Sequence, residues 1–245
     1  MNVRLRGVLP NLFTLGNLLC GFLAVAAVIR GTHESLISAA WWIIIAAILD
    51  ALDGKVARLT GTTSEFGIEF DSIVDVVSFG LAPAALMYRY AFTGAEEIGL
   101  IFSFCFLAAG AIRLARFNVT ATTGLKKYFT GMPIPAGAGI LASYVLFSEK
   151  VWNALSTFDV AVALVVMTSI AMVSRFRYGV LPKLGFRTSK GRLRSALFIA
   201  NIALIALIPD EILFPEGIVY LLSGPIAFLF APALTHVFHR AHHNR

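Results

Sequence analysis

Long apolar runs dominate this chain and constrain its fold more than any other feature. A helix needs about 17–25 mostly apolar residues to cross the roughly 30 Å hydrocarbon core of a bilayer, where backbone polar groups must be satisfied within the helix. The sequence contains eight runs that approach or reach this length. They cover residues 10–30, 36–57, 66–92, 98–118, 134–149, 157–175, 193–209 and 213–236. We therefore predict an all-α integral membrane protein with about eight transmembrane helices.

The composition excludes an ordinary water-soluble globule. Hydrophobic residues make up 58% of the chain and charged residues only 14%, whereas soluble domains carry about 25% charged residues. The net charge of +6 would suggest a nucleic-acid partner for a soluble protein, but here the basic residues lie between apolar runs. We therefore expect contacts with membrane lipids and none with nucleic acid. Because neither an internal repeat nor a boundary between soluble domains is evident, residues 1–245 are predicted to form a single membrane-embedded domain.

The distribution of basic residues predicts how the chain is oriented. If the N-terminus is cytoplasmic, only Arg30, Arg89 and Lys150 of the 20 Lys and Arg residues fall outside. Such an excess on the inner side is what orients membrane spans during insertion. We expect both termini to be cytoplasmic. The fifth run begins in the stretch GMPIPAGAGI, so a continuous helix and a broken, partly re-entrant one both remain open.

All acidic residues on the predicted inner side lie in one short stretch. Asp50 and Asp53 are three residues apart on the second run, and Asp71 and Asp75 are four apart on the third. Both spacings place two side chains on one helix face. A charge within the membrane costs roughly 2.5–3.5 kcal/mol on insertion scales and usually marks a functional cavity. Because the connection between the two runs is short, we predict that both pairs face one space near the cytoplasmic ends.

Four neighbouring carboxylates repel one another, and bound cations relieve that repulsion. Hard Mg²⁺ or Mn²⁺ ions prefer carboxylate and phosphate oxygens. Two such ions about 3.5–4 Å apart can hold the attacking and leaving oxygens at a phosphorus atom. The pattern therefore favours a site for two divalent ions that acts on a phosphate ester.

Several residues beside the carboxylates have two possible roles, one in ligand binding and one in structure. The small residues Gly54, Ala57 and Gly67 leave room for a flat ligand such as a nucleotide, or serve close helix packing. Arg58 can bind phosphate or act as a cytoplasmic anchor. Ser64 can donate to phosphate or cap the third helix.

The stretch from Asp50 to Asp75 resembles the signature of the CDP-alcohol phosphotransferases. It reads D-x₂-D-G-x₂-A-R-x₈-G-x₃-D-x₃-D without a departure. The resemblance implies a fold with a six-helix core and an enzyme that displaces CMP from a CDP-linked lipid with an alcohol. It implies that Asp50, Asp53, Asp71 and Asp75 bind two metal ions and that Asp75 is also the general base. Residues expected to contact the CDP-lipid are Asn11, Thr14, Gly54, Ala57, Arg58, Ser64 and Gly67.

Three further stretches resemble the membrane-type phosphatidylserine synthases of bacteria and archaea within that family. They are PNLFT at 10–14, SFGLAPA at 78–84, and RLARFN at 113–118 followed by FTGMPIPAGAG at 129–139. The likeness implies CDP-diacylglycerol and L-serine as substrates, a homodimer and a prokaryotic cytoplasmic membrane. It also implies a core over about 8–175 with two extra spans over about 193–236.

The carboxylate of serine needs a cationic partner. Our candidates for serine binding are Arg113 and Arg116, three residues apart on the fourth run, with Asn118 beside them. The alternative for both arginines is a role as cytoplasmic anchors.

Three other functions remain open from the sequence. A sibling enzyme would use glycerol phosphate or inositol phosphate instead of serine. An intramembrane prenyltransferase would need a second Asp-rich motif, and the chain has none after residue 75. An ion-coupled transporter would use buried acids, but such proteins usually have repeats and broken helices at mid-membrane.

Overall fold

The computed structural model describes residues 8–61, 64–120, 128–152, 158–179 and 188–242 of the chain. Within these ranges it consists of eight helices and one short two-stranded ribbon. The helices are α1 (Val8–Arg30), α2 (His33–Thr60), α3 (Glu65–Ala91), α4 (Glu96–Thr120), α5 (Ile134–Val151), α6 (Phe158–Val173), α7 (Ser189–Leu207) and α8 (Pro209–His242). The strands are β1 (Tyr128–Thr130) and β2 (Arg177–Gly179), which pair antiparallel.

The predicted all-α membrane class is confirmed. Each predicted run coincides with one helix, and the ends differ by a few residues. Five of the described helices are long and apolar enough to cross a bilayer, namely α1, α2, α3, α4 and the first part of α8. The 16-residue helix α6 is apolar but shorter. Helices α5, α6 and α7 are either too short or not apolar enough to meet the same criterion. That all eight helices cross the membrane completely therefore stays a prediction.

The Pro/Gly-rich stretch starts a helix and does not interrupt one. Helix α5 runs without a break over 18 residues from Ile134, with Pro133 as its N-cap and Pro135 in its first turn. Proline is well tolerated there because the first N–H groups of a helix have no intrahelical partner. Most of α5 is buried. The alternative of a broken helix is therefore wrong for this segment, and whether α5 crosses the whole bilayer stays a prediction.

The irregular helix is α3, whose middle forms a π-helix over Val76–Leu81. This π-helix begins directly after Asp75. Its Ser78 packs against α1 at Gly21, where an added Cβ would lie 2.4 Å from the Ser78 hydroxyl oxygen. π-Helical turns insert one extra residue into a helix and often occur at functional sites. This irregularity was not predicted from the sequence.

Small residues allow the N-terminal helices to approach closely. Helices α1 and α2 pack along much of their length, and Ala24, Ala39 and Ala40 between them are fully buried. Small side chains are typical of helix contacts in membranes, where close backbone approach replaces the hydrophobic effect. This packing fixes α1 beside the part of α2 that carries Asp50 and Asp53.

The C-terminal helix packs against α5 and the ribbon. Phe214 of α8 contacts the rings of Tyr144, Phe147 and Trp152. The hydroxyl of Tyr178 in β2 donates to the carbonyl of Leu221 at 3.1 Å. Burial raises the pKa of Tyr178 to about 12, so its hydroxyl remains a donor at neutral pH. The ribbon is thereby held against α8.

Candidate active site

Helices α2 and α3 bring the predicted acidic residues together. Carboxylate oxygens of Asp50, Asp71 and Asp75 all lie within 4.8 Å of one another. Asp53 is close enough to Asp50 and Asp71 for their charges to repel. Asp53 and Asp75 are the most buried members, each 7% exposed. The side-chain spacing in the sequence was therefore sufficient to predict this cluster.

Asp53 differs from the other three carboxylates in its surroundings. It does not line the cavity described below, and its carboxylate accepts a hydrogen bond from the hydroxyl of Thr14 in α1. A step of three residues turns a side chain by about 60° around the helix axis. That turn directs Asp53 toward α1, whereas Asp50 faces the cavity. The expectation that all four carboxylates face one cavity is therefore met directly by three of them.

The connection between α2 and α3 explains how the carboxylates meet. Gly61 adopts a φ of +66° just after α2, a conformation that glycine adopts without strain. Ser64 is the N-cap of α3 and accepts a hydrogen bond from the backbone N–H of Gly67 at 3.0 Å. The chain therefore reverses within a few residues, and α3 returns beside α2.

One predicted CDP-lipid residue, Thr14, donates to Asp53, and the other six fall into three groups. Gly54 lines the main cavity. Ser64 and Gly67 lie at the start of α3 and do not line the cavity. The two residues contact each other through the hydrogen bond by which Ser64 caps the helix. Asn11, Ala57 and Arg58 lie in helices, but their side chains fall outside the described part of the structure.

A cavity of about 780 Å³ opens next to the acidic cluster. Its volume lies in the range of sites for cofactors and drug-sized ligands. The start of α5 closes one side with Pro133 and Pro135. The cavity is lined by Asp50, Ala51, Gly54, Glu65, Ile68, Glu69, Asp71, Ser72, Asp75, Arg113, Leu114, Phe117, Asn118, Pro133 and Pro135.

The two predicted serine-binding arginines have different surroundings. Arg113 is 6% exposed, lines the cavity and lies near Asp75. Its Nε atom is buried without a hydrogen-bond partner among the described residues, and its guanidinium carbon lies 5.7 Å from the centre of the Phe117 ring. A buried cation beside a carboxylate and a cavity is well placed to receive an anionic ligand group.

Arg116 makes structural contacts. Its guanidinium donates to the carbonyl oxygens of Val173 at 2.8 Å, Met172 at 3.3 Å and Ser174 at 3.2 Å. These carbonyls belong to the C-terminal end of α6, where no intrahelical donor remains. Arg116 therefore stabilises the end of α6, and its side chain lies outside the main cavity lining.

Asn118 lies at the cavity wall. Its Nδ2 atom donates to the hydroxyl of Ser72 in α3 at 2.8 Å. This contact joins α4 to the helix that carries Asp71 and Asp75.

A second cavity of about 440 Å³ shares Arg113 and Phe117 with the main cavity. All of its charged lining residues are arginines, and we refer to it as the arginine pocket. It is lined by Arg113, Arg116, Phe117, Thr120, Phe129, Thr130, Arg175 and Arg177. The sequence did not predict this pocket, because its residues come from three separate segments.

Asn17 is a residue of the site that the sequence patterns did not predict. This residue is fully buried in α1, one turn after Thr14, and its side chain is close enough to interact with Asp75. The spacing of Asn17 from Thr14 was the available signal, since residues three apart share a helix face.

The residues present fit a divalent cation. Several carboxylate oxygens within 4.8 Å of one another form the donor set that hard cations prefer. In addition, Oδ1 of Asp75 is buried and has no hydrogen-bond partner among the described residues. An unpartnered buried carboxylate oxygen needs a cation or a donor to offset the cost of its burial.

Comparison with known proteins assigns the family. The model of the CDP-alcohol phosphatidyltransferase family matches residues 7–174. A CDP-diacylglycerol–serine O-phosphatidyltransferase of Helicobacter pylori is 38% identical over 226 residues, which cover 90% of this chain and 91% of that protein. An enzyme of the same name from Methanocaldococcus jannaschii is 37% identical over 66% of this chain and 73% of its own length. An archaetidylserine synthase of Methanothermobacter thermautotrophicus is 36% identical over 74% of this chain and 73% of its own length. The chain belongs to the CDP-alcohol phosphatidyltransferase family.

Proposed function

We propose that this protein transfers a phosphatidyl group from CDP-diacylglycerol to the hydroxyl of L-serine, giving phosphatidylserine and CMP. The observation that carries the proposal is the acidic cluster of α2 and α3 beside the buried cation Arg113, in a chain of this family. Relatives with names ending in serine O-phosphatidyltransferase support serine as the acceptor.

Asp50, Asp53, Asp71 and Asp75 would hold two divalent ions, Mg²⁺ or Mn²⁺. Bound there, the ions would offset the negative charge of the diphosphate and of the departing CMP. The proximity of the carboxylate oxygens supports this assignment for Asp50, Asp71 and Asp75, and the family motif supports it for Asp53. We assign Thr14 the task of orienting Asp53, because its hydroxyl already donates to that carboxylate.

Asp75 would act as the general base. The serine oxygen forms a bond to the phosphorus that carries diacylglycerol, while the bond from that phosphorus to the bridging oxygen breaks. CMP leaves with the bonding electrons, and the hydroxyl proton passes to the Asp75 carboxylate. A positioned general base typically contributes a factor of about 10²–10⁴ in rate. The burial of Asp75 at the cavity wall supports this role.

Gly54 would admit the CDP moiety, since it presents no side chain to the cavity. Asn11, Ala57, Arg58, Ser64 and Gly67 remain proposed CDP-lipid contacts on the strength of the family motif.

Arg113 would bind the carboxylate of serine. It lines both the main cavity and the arginine pocket, and its Nε atom is free of protein partners in the described ranges. With its carboxylate bound to Arg113, serine would place its hydroxyl near Asp75, because the molecule is short. Asn118 would support the wall of this subsite through Ser72. Arg116 would contribute to it only indirectly, because its guanidinium holds the end of α6.

We further propose a homodimer in a prokaryotic cytoplasmic membrane, with both termini and the active site facing the cytoplasm. The uneven distribution of Lys and Arg supports the orientation, and bacterial and archaeal relatives support the membrane. The dimer is proposed from the family resemblance.

The test is an assay of the purified protein in vesicles that contain CDP-diacylglycerol, with labelled serine, inositol phosphate and glycerol phosphate offered in parallel. We expect labelled lipid and CMP release with serine alone. Asp75→Asn should abolish turnover, and Asp159→Asn should not, because Asp159 is exposed in the first turn of α6. Turnover with another acceptor and none with serine would contradict the proposal.

One observation favours a second candidate acceptor. The four arginines of the arginine pocket would also suit a phosphate-bearing alcohol such as inositol phosphate or glycerol phosphate. The same parallel assay separates this sibling activity from serine transfer.

A further inference from the structure

Asn17 is an unusual residue for its position. It lies within the apolar helix α1 and is fully buried, and neither its amide nitrogen nor its amide oxygen makes a hydrogen bond of standard geometry with the described residues. Burying an amide without such partners costs stability. A hydrophobic residue of similar size would avoid that cost.

The neighbour of this amide is Asp75. The side chain of Asn17 is close enough to interact with the Asp75 carboxylate, and Oδ1 of Asp75 also lacks a partner in the described ranges. An amide nitrogen offers two N–H donors, and an ionised carboxylate only accepts. The two buried groups therefore complement each other. Hydrogen bonds of this kind are often long in ligand-free enzymes and tighten in the substrate complex.

The backbone of Asn17 is held at the required place by α3. The hydroxyl of Ser78 donates to the carbonyl oxygen of Asn17 at 3.1 Å. One turn later, Gly21 allows Ser78 to pack directly against α1, since any Cβ at Gly21 would lie 2.9 Å from the Cα of Ser78. Ser78 is on the π-helix that starts right after Asp75. The same local structure thus fixes both Asn17 and Asp75.

Helix α1 contacts the acidic cluster at two points on one face. Thr14 donates to Asp53 of α2. Three residues later, Asn17 is close enough to interact with Asp75 of α3, and its carbonyl oxygen accepts from Ser78, three residues after Asp75. Both Thr14 and Asn17 can donate hydrogen bonds, and neither carries a charge. A neutral donor orients a carboxylate without neutralising it or taking its proton.

We propose that Asn17 is a positioning residue for Asp75. Its amide donates to one carboxylate oxygen of Asp75 and leaves the other oxygen directed toward the cavity, where the acceptor hydroxyl gives up its proton. This inference rests on the proposed role of Asp75 as the base.

The experiment compares Asn17→Leu and Asn17→Asp with wild type and with Cys20→Ala. Leucine keeps the branched outline of asparagine and removes the donors, and aspartate keeps the shape but turns the donor into a second acceptor. Cys20 is the matched control, because it is buried in α1 one turn further along and packs in the apolar core. For each protein we measure kcat, KM for both substrates, binding of CDP-diacylglycerol and the rise in Tm produced by Mn²⁺.

We expect Asn17→Leu to lower kcat about 10- to 100-fold, within the contribution of a general base, while both KM values stay within about threefold. Asn17→Asp should lower kcat at least as far, because two carboxylates then repel. Binding of CDP-diacylglycerol and the Mn²⁺-dependent rise in Tm should persist in both variants. Cys20→Ala should keep a kcat within about twofold of wild type.

A kcat near wild type in Asn17→Leu would overturn the inference. An equal loss of kcat in Cys20→Ala would also overturn it. The same holds if the kcat of Asn17→Leu recovers at saturating Mn²⁺, because Asn17 would then act through metal affinity. If Asn17→Leu does not fold, Asn17→Asp and Ser78→Ala decide the question by the same readouts. If wild type uses an alcohol other than serine, the comparison is run with that alcohol, and only the serine assignment fails.

Discussion

The hydroxyl of Thr14 in α1 donates a hydrogen bond to the carboxylate of Asp53 in α2. The bond joins residues 39 positions apart in the sequence. A hydroxyl group of a neighbouring helix therefore orients Asp53. The remaining three carboxylates meet at the wall of the main cavity.

Thr14→Val should raise the Mn²⁺ concentration for half-maximal activity about 10-fold. Valine keeps the shape of threonine but removes the donor that orients Asp53, and loss of such an orienting contact typically costs about 10- to 100-fold in metal affinity. A metal titration of activity and of Tm measures the change. Leu15→Val is the control, since Leu15 is 51% exposed on the same helix. An unchanged metal requirement in Thr14→Val would contradict the orienting role.

Arg113→Gln should raise the KM for serine about 10- to 100-fold. A hydrogen bond to a charged group contributes about 1.5–3 kcal/mol, and each 1.4 kcal/mol corresponds to about tenfold in affinity. The KM for CDP-diacylglycerol should change by less than about threefold. Steady-state kinetics with each substrate varied in turn measure both values. Equal effects on the two KM values would remove Arg113 from the serine site.

Arg116→Gln should lower Tm with little effect on the KM for serine. The substitution removes the charge-assisted hydrogen bonds to the carbonyls at the end of α6, and we expect a cost of about 2 kcal/mol. That loss corresponds to a decrease in Tm of about 4–8 °C for a chain of this length. The control is Arg192→Gln at an exposed position of α7. A stable Arg116→Gln protein with a raised KM for serine would reverse our assignment.

Gly21→Ala should destabilise the protein and reduce kcat. The new Cβ would lie 2.4 Å from the Ser78 hydroxyl oxygen, so α1 and α3 must separate, and overpacking of this kind costs about 1–3 kcal/mol. The double variant Gly21→Ala with Ser78→Gly should recover part of the stability, because it removes the clashing side chain. Gly139→Ala is the matched control, since nothing lies within 4 Å of a Cβ there. Thermal unfolding and kinetics of all four proteins test this expectation.

The sequence predicted the parts of the structure that depend on local periodicity. The helices follow from apolar length, and the meeting of Asp50, Asp71 and Asp75 follows from spacing and a short connection. The π-helix at Val76–Leu81 could not be predicted in this way, because it depends on packing of Ser78 against Gly21 of another helix.

The roles of single polar residues were harder to predict. Arg113 and Arg116 carry the same charge and lie on one face of α4. Arg113 lines the main cavity, whereas Arg116 caps α6 because it lies beside the carbonyl oxygens at the end of that helix. Asn17 is a lone amide in an apolar run, and its importance depends on Asp75, 58 positions later in the printed sequence. Contacts between distant segments decide both cases.

Anomalous X-ray diffraction from crystals grown with Mn²⁺ would test the central claim most directly. We predict manganese peaks in contact with the carboxylates of Asp50, Asp71 and Asp75, with Asp53 completing the set from the α1 side. Loss of those peaks in crystals of Asp71→Asn would support the assignment further. A wild-type map with no manganese at these carboxylates, or with manganese bound only elsewhere, would contradict the account.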